Sequence, residues 1–204
     1  MVEATGSAPR GRPRVTTRAD AESTALRLLH RRGFAEVSVE ELAAVAGISR
    51  ATWFRYFGAK AGVVWWRFDE AIEALEHALS ADHAHDDVFS HVEQSILSSI
   101  RAVIDTDGIW WDRFVLLDTE PSLQGDTAAR WARWTTAVAR TLADQLPSQS
   151  DVPKPTIMAS AYQGAYVGVL RSLSPSDRRP EVLEDRMMTA LGWVSTLFRG
   201  RPRS

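Results

Sequence analysis

The stretch Ser38-Val39-Glu40-Glu41-Leu42-Ala43-Ala44-Val45-Ala46-Gly47-Ile48-Ser49-Arg50-Ala51-Thr52-Trp53-Phe54-Arg55-Tyr56-Phe57 decides the reading of this chain. Ser38 to Glu41 is a capping box that opens a short helix, because the serine hydroxyl and the glutamate carboxylate each satisfy a free backbone N–H. That helix puts Val39, Leu42, Ala43 and Ala46 on one face. Gly47-Ile48-Ser49 is a tight turn; glycine supplies the backbone freedom, Ile48 fills the angle between the helices, and Ser49 caps the next one. The second helix, Arg50 to Phe57, is too short and too polar on one side to be a core helix alone. Two short helices joined this way have helix-turn-helix geometry, with the second presented to a major groove. Arg50 can reach a guanine edge or a phosphate, and Thr52 can donate to a phosphate or pack on a thymine methyl.

Outward from this stretch the chain reads as helix throughout, with no sustained period-two alternation. A first helix is expected over 16–32, with Ala21, Ala25, Leu28 and Leu29 on one side and Gly33-Phe34 at its end. Gly58 breaks the recognition helix, and a long fourth helix follows from about Lys60. Its Trp65, Phe68, Ile72, Leu75 and Leu79 recur at spacings of three and four as one buried stripe. The polar stretch 80–87 reads as a loop. Further helices are expected at 88–105, 109–120, 121–146, 155–173 and 180–199, with Pro121, Pro155 and Pro180 at helix starts. The fold class is all-α.

The 204 residues carry a formal charge of −2 from 24 basic and 26 acidic side chains, which taken whole gives no hint of a nucleic-acid partner. The charge is divided, however. Residues 1–60 hold ten basic and six acidic residues, a net of +4, and the remainder carries −6. A basic head on an acidic body fits a DNA-binding module joined to a different one. The absence of cysteine excludes a disulfide framework, a thiolate zinc site and a cysteine nucleophile. No apolar run reaches the ~20 residues that span a bilayer, and the first fifteen residues lack an apolar signal core. The expectation is a soluble cytoplasmic protein with no membrane partner.

Leu26 to Lys60 resembles the N-terminal domain of the TetR family of bacterial transcriptional regulators. The marks are Gly33-Phe34, Ser38-Val39-Glu40-Glu41-Leu42-Ala43, Ala46-Gly47-Ile48-Ser49 and Phe54-Arg55-Tyr56-Phe57-Gly58-Ala59-Lys60. The resemblance implies a helix-turn-helix head over 15–60 and a ligand-binding and dimerisation body over 61–199, flanked by a basic arm (1–14) and a basic tail (200–204). It implies that Ser38, Ser49, Arg50, Ala51, Thr52, Trp53 and Arg55 face DNA, with Tyr56 and Lys60 on phosphates. Phe54 stands where the family has tyrosine and cannot hydrogen-bond a phosphate. Trp53 is bulkier than the usual leucine and suits packing as well as reading DNA. Arg27, Arg31 and Arg32 read as a solvated face. Arg12 and Arg14 lie in an Arg-Gly-Arg-Pro-Arg arm suited to a narrow minor groove; the same five residues recur at 199–203, where the family fold implies a solvated tail.

In the body, Ser160, Gly164 and Gly168 step by four along one helix face and let a second helix come close. Leu183, Met187, Leu191, Val194 and Phe198 form the apolar stripe of the last helix. With the resemblance, these predict the four-helix interface of a homodimer; packing within one chain is the plainer reading. Seven of eight tryptophans lie beyond residue 60. Trp65, Phe68, Trp110, Trp111, Phe114, Trp131, Trp134, Tyr162 and Tyr166 are the expected lining of a cavity for a small lipophilic or aromatic effector, with Asp112, Arg113, Arg130 and Arg133 at its mouth. Each alone is equally a core residue. Thr52–Phe57, Trp65 and Phe68-Asp69, with Arg113–Leu117, Glu120–Leu123, Arg130 and Trp134, also look like the mycofactocin-system regulators, a group associated with acyl-CoA-like ligands.

Ser80–Asp87 and His91 gather His83, His85 and His91 with aspartates, yet a polar loop is their expected setting, so no metal and no cofactor is expected. No phosphate-binding glycine loop, G-x-S-x-G elbow or H-E-x-x-H occurs, which argues against an enzyme. The expected function is a one-component repressor that binds double-stranded palindromic operator DNA as a dimer and is released by its effector; the alternative is a DNA-binding regulator or activator with no small-molecule effector.

Overall fold

The computed structural model describes residues 16–81, 87–104, 107–146 and 153–199. Three short helices open the chain, and each begins on a hydroxyl. Thr17 caps α1 (Arg18–Arg32), Ser38 caps α2 (Val39–Val45) and Ser49 caps α3 (Arg50–Phe57). The first two caps are reciprocal boxes, with Asp20 and Glu41 returning to the cap N–H. The box at Thr17 has the spacing of the one at Ser38 but was not among the sequence expectations. Gly33 and Gly58 end α1 and α3 with φ of 91° and 71°, a region open to glycine.

Six further helices follow among the described residues: α4 (Gly62–Ser80), α5 (Val88–Arg101), α6 (Ile109–Thr119), α7 (Gln124–Gln145), α8 (Lys154–Ser172) and α9 (Pro180–Phe198). No strand occurs among the described residues, in keeping with the all-α expectation. Two details differ. The helix expected over 121–146 begins with a 3-10 turn at Pro121–Leu123, where the Glu120 carboxylate accepts the Ser122 N–H at 3.2 Å. The helix expected over 88–105 ends at Arg101. No described helix is long and apolar enough to cross a membrane.

The apolar side chains fall into two clusters. The body cluster joins α4, α5, α7, α8 and α9 around Ile72, Ile96, Val138, Tyr162, Met187 and Leu191. The head cluster gathers Leu26, Leu29, Leu42, Trp53 and Phe57 from α1–α3. It does not stop near Lys60: Val63, Val64 and Trp65 of α4, and Ile109, Leu116 and Leu117 of α6, complete it. Helix α6 therefore stands in both cores, with Trp110 and Trp111 in the body cluster. The head is seated on α4 and α6 as a packed layer.

Candidate nucleic-acid interface and cavity

The exposed surface of α3 carries Arg50, Ala51, Phe54 and Arg55, with Thr52 half-buried. Ser49 Oγ accepts the Thr52 N–H at 3.0 Å and sits 2.9 Å from the Thr52 hydroxyl, so these two side chains brace the start of the helix. Arg50 pairs with Glu40 at 3.1 Å, both side chains well exposed, and its guanidinium also lies 5.5 Å from the Phe54 ring. Ser38 is exposed, but its hydroxyl is used as the α2 cap.

Trp53 corrects the expectation that it faces DNA. It is wholly buried, tilted against Phe57 at 4.7 Å between ring centroids. One turn of α3 puts residues 53 and 57 on the inner side, and the indole is what fills the head between α1 and α2. Tyr56 and Lys60 are engaged inside the head. The Tyr56 hydroxyl donates to the Thr16 carbonyl at 3.1 Å. Lys60 donates to the Phe34 carbonyl and lies 4.5 Å from the Phe34 ring centroid; burial holds its pKa below the ordinary lysine value. To donate to a phosphate Tyr56 must give up its bond to Thr16, whereas the Lys60 ammonium has further N–H donors to offer. Arg12 and Arg14 lie outside the described residues. Arg27, Arg31 and Arg32 are exposed, and Arg32 pairs with Glu41 at 2.8 Å.

The body holds a cavity of about 720 Å³ walled by α4, α6, α7 and α8. Its aromatic wall is Phe68, Trp110, Phe114, Trp131 and Tyr166, as expected from the sequence. Trp131 is the centre of this wall, with Phe68 at 5.2 Å and Tyr166 at 5.4 Å in edge-on contact. Burial pushes the Tyr166 hydroxyl up to about 12. Four expected lining residues are absent from it. Trp65 belongs to the head cluster, with the Arg130 guanidinium 4.0 Å over its ring. Trp111 turns into the body core with Arg178 stacked on it at 4.0 Å. Trp134 packs behind Trp131 at 5.8 Å. Tyr162 is buried, its hydroxyl 2.6 Å from Ser195 Oγ. The reason is shared: these helices bury aromatics on two faces, and composition does not say which face meets the void.

Polar groups at the cavity include Arg67, Arg113, Gln163 and Arg171. Of the cations expected at its mouth, Arg130 and Arg133 instead hold carboxylates on α4. Arg130 grips Asp69 with two bonds of 2.7 and 3.1 Å, and Arg133 pairs with Glu76. Asp112 lies 3.8 Å from His30. Arg171, which no sequence feature had marked, is bound to Asp118 at 2.6 Å.

The expected dimer residues divide. Ser160, Gly164 and Gly168 are exposed, and a Cβ added at either glycine would meet nothing within 4 Å. Ser160 and Gly164 also rim the cavity. Leu183, Met187, Leu191 and Val194, in contrast, are buried in their own chain, and Phe198 packs beside them. They cannot form an outer face. The apolar side chains that α9 leaves exposed are Met188, Trp193 and Leu197, and α8 adds Ile157. The stripe read from sequence is the inner one; Trp193 and Leu197 lie one turn apart on one flank of it and Met188 on the other. His91 is buried with Nε2 3.2 Å from the Leu79 carbonyl, while His83 and His85 lie outside the described residues.

Comparison with known proteins places this arrangement. Residues 23–64 match the model of the bacterial regulatory proteins of the tetR family, and residues 86–194, more than half of the chain, match the MftR C-terminal domain. The mycofactocin biosynthesis transcriptional regulator MftR of Mycobacterium tuberculosis is 29% identical over 140 residues, 65% of this chain and 67% of that protein. The HTH-type transcriptional regulator EthR of Mycolicibacterium smegmatis is 34% identical over 86 residues, 42% of this chain and 39% of that protein. The fold is similar to that of SmeT, the repressor of the Stenotrophomonas maltophilia efflux pump SmeDEF. In its triclosan complex SmeT superposes with a TM-score of 0.64 at 19% identity, covering 88% of this chain and 90% of SmeT. The chain belongs to the TetR family of bacterial regulatory proteins, with an MftR-type C-terminal domain, and is a transcriptional regulator rather than an enzyme.

Proposed function

We propose that this regulator binds a palindromic operator as a homodimer, represses, and is released by a small lipophilic effector held in the body cavity. The observation that carries the reading is the position of α4. Its Phe68 and Ala71 wall the cavity, while its Val63 and Val64 complete the core of the head. One rigid helix thus touches both the void and the DNA-reading layer. A ligand that fits better when α4 is displaced draws the heads away from the spacing that two half-sites require. A 720 Å³ void with an aromatic wall and polar groups that include Arg67, Arg113, Gln163 and Arg171 is of the size and character of small-molecule sites. That SmeT is known as a triclosan complex supports an aromatic or lipophilic ligand class.

On DNA, Arg50 leaves Glu40 for a base edge or phosphate, Arg55 supplies charge, and Ala51 and Phe54 offer apolar contact to thymine methyls. The homodimer uses the outer faces of α8 and α9, where the Ser160–Gly164–Gly168 track lies with Met188, Trp193 and Leu197. The test is a gel shift on a duplex selected in vitro by the full-length protein, repeated with triclosan and dodecanoyl-CoA. Binding of a two-fold symmetric site and its release by one of these compounds is the expected result. Binding that neither compound weakens, together with no thermal stabilisation by either, overturns the effector reading.

A further inference from the structure

Glu22 of α1 is buried, although it sits in the head and faces the body. Its Oε1 accepts from Arg113 Nη2 at 2.5 Å, and its Oε2 lies 3.6 Å from Arg67 Nε. Arg113, on α6, is only 5% exposed, and it lines the cavity, as does Arg67 of α4. The three residues come from three helices and join the head to both helices on which it is seated. Arg113 Nε has no hydrogen-bond partner among the described residues, although it is buried. A buried cationic N–H without a partner at the wall of a void is costly unless a ligand supplies an acceptor. Glu22 and Arg67 also line a smaller cleft of about 130 Å³, which gives the carboxylate room to turn and admits water.

At this end of the cavity Arg113 has Glu22 as its carboxylate and Arg67 lies between Glu22 and Glu70, the latter at 2.8 Å, so the unmet group is the Arg113 Nε–H. Arg171, which also lines the cavity, is already matched by Asp118. The rest of the wall is largely apolar, with Phe68, Trp110, Phe114, Trp131 and Tyr166 as its aromatic part. An anion on an apolar tail satisfies both features at once, and a neutral lipophile satisfies only one. We propose that Glu22, Arg113 and Arg67 are the switch of this regulator: the anionic group of a tailed effector takes the two guanidinium groups from Glu22 and uncouples α1 from α6. This rests on the effector reading above and adds the ligand's charge and the contact it breaks. A carboxylate and a phosphate present the same chemistry here, so a free fatty acid and an acyl-CoA are the two sources to separate.

The experiment titrates the full-length protein with dodecanoate, dodecanoyl-CoA, dodecanol and triclosan, following tryptophan fluorescence and, by hydrogen exchange, the amides of residues 18–32. At least one of the two anions is expected to bind ten-fold or more tightly than dodecanol, and the tighter of them names the source. That anion, and not dodecanol, speeds exchange in α1. Arg113→Met alone would take from the buried Glu22 carboxylate its close partner and leave Arg67 at 3.6 Å, so the test variant is Glu22→Gln with Arg113→Met, which removes both charges. It is expected to bind dodecanol like the wild type and to hold less than a three-fold preference for the anion; Arg67→Gln weakens the anion several-fold. Equal binding of dodecanol and both anions overturns the proposal, as does a ten-fold anion preference that survives the double substitution. If triclosan binds and neither anion does, the switch is refuted while the effector reading stands; if none of the four binds, both fall.

Discussion

Replacing Trp53 by phenylalanine separates packing from DNA reading at the residue where the sequence left both open. The indole is wholly buried and its Nε1 has no hydrogen-bond partner among the described residues. Phenylalanine gives up on the order of 40–50 Å² of buried apolar surface, about 1 kcal/mol at about 25 cal/mol per Å². It also removes an unpartnered N–H whose burial costs about 1–3 kcal/mol. The two effects oppose, so Trp53→Phe is expected to lie within about 1 kcal/mol of the wild type. Trp53→Ala removes the same N–H but empties the whole indole site beside Phe57, a net loss of about 3–5 kcal/mol. That is a large part of the ~5–15 kcal/mol that holds a typical domain. Denaturant unfolding measures both, and operator affinity is read well below each transition. Trp53→Phe keeps near-native affinity, whereas Arg50→Ala, on an exposed side chain, keeps stability and loses specific binding. A Trp53→Phe protein as stable as the wild type but bound ten-fold more weakly would refute the reasoning, because it would put the indole on DNA.

Three further outcomes are expected. Gly62→Ala places a Cβ 1.8 Å from the Phe57 carbonyl oxygen and 2.8 Å from its carbon, backbone atoms that cannot swing aside. The end of α3 must shift against α4, at a cost of about 1–3 kcal/mol or more, and a gel shift should show at least a ten-fold loss of operator affinity. Glu41 is held down to about 2 by the Ser38 N–H, by Arg32 and by the Ser38 hydroxyl. A folded pKa below the ordinary glutamate value of 4.5 means that its contribution is present above pH 4.5 and is lost as pH falls toward 2; in acid titrations followed by circular dichroism, Glu41→Gln should remove that part of the wild-type acid limb. Trp193→Arg with Leu197→Lys, on side chains 65% and 58% exposed, should leave the fold intact and give monomer mass by light scattering where the wild type gives dimer.

What the sequence made legible was local. Ser38 with Glu41, Gly33, Gly58 and the three prolines act within one turn of themselves, so their structural consequences follow from a short stretch of chain. The burial phase of α4 was readable because its other face is polar. Helix α9 shows the opposite case. Leu183, Met187, Leu191 and Val194 form one stripe, while Met188 on one flank and Trp193 and Leu197 on the other are apolar too, and nothing within the helix says whether the stripe is covered by its own chain or by a second copy. The aromatic wall was half legible for the same reason: of the neighbours Trp110 and Trp111, about 100° apart on the helix, one lines the void and the other fills the core. Glu22 was illegible altogether. Its partner is 91 residues away, and a lone glutamate amid Ala21 and Ala25 reads as an exposed interruption until α6 is laid across it.

That pair also sets how strongly a ligand can act. Removing one member of a buried ion pair costs about 3–5 kcal/mol, because the other is left bare. Coupling between two sites is usually worth about 1–3 kcal/mol. The two ranges are reconciled if the entering anion replaces Glu22 rather than merely expelling it. Arg113 then stays paired, its unpartnered Nε gains an acceptor, and the carboxylate turns into the 130 Å³ cleft that it also lines, a volume that admits water to solvate it. What is lost is the tie between α1 and α6, while the apolar contacts of Leu26 and Leu29 in the shared head cluster persist. The head loosens on its seat without unfolding. A neutral ligand of the same shape fills the cavity and leaves that tie in place, so it stabilises the protein without releasing DNA. Discrimination between effectors and mere ligands then resides in one charge at the end of the tail.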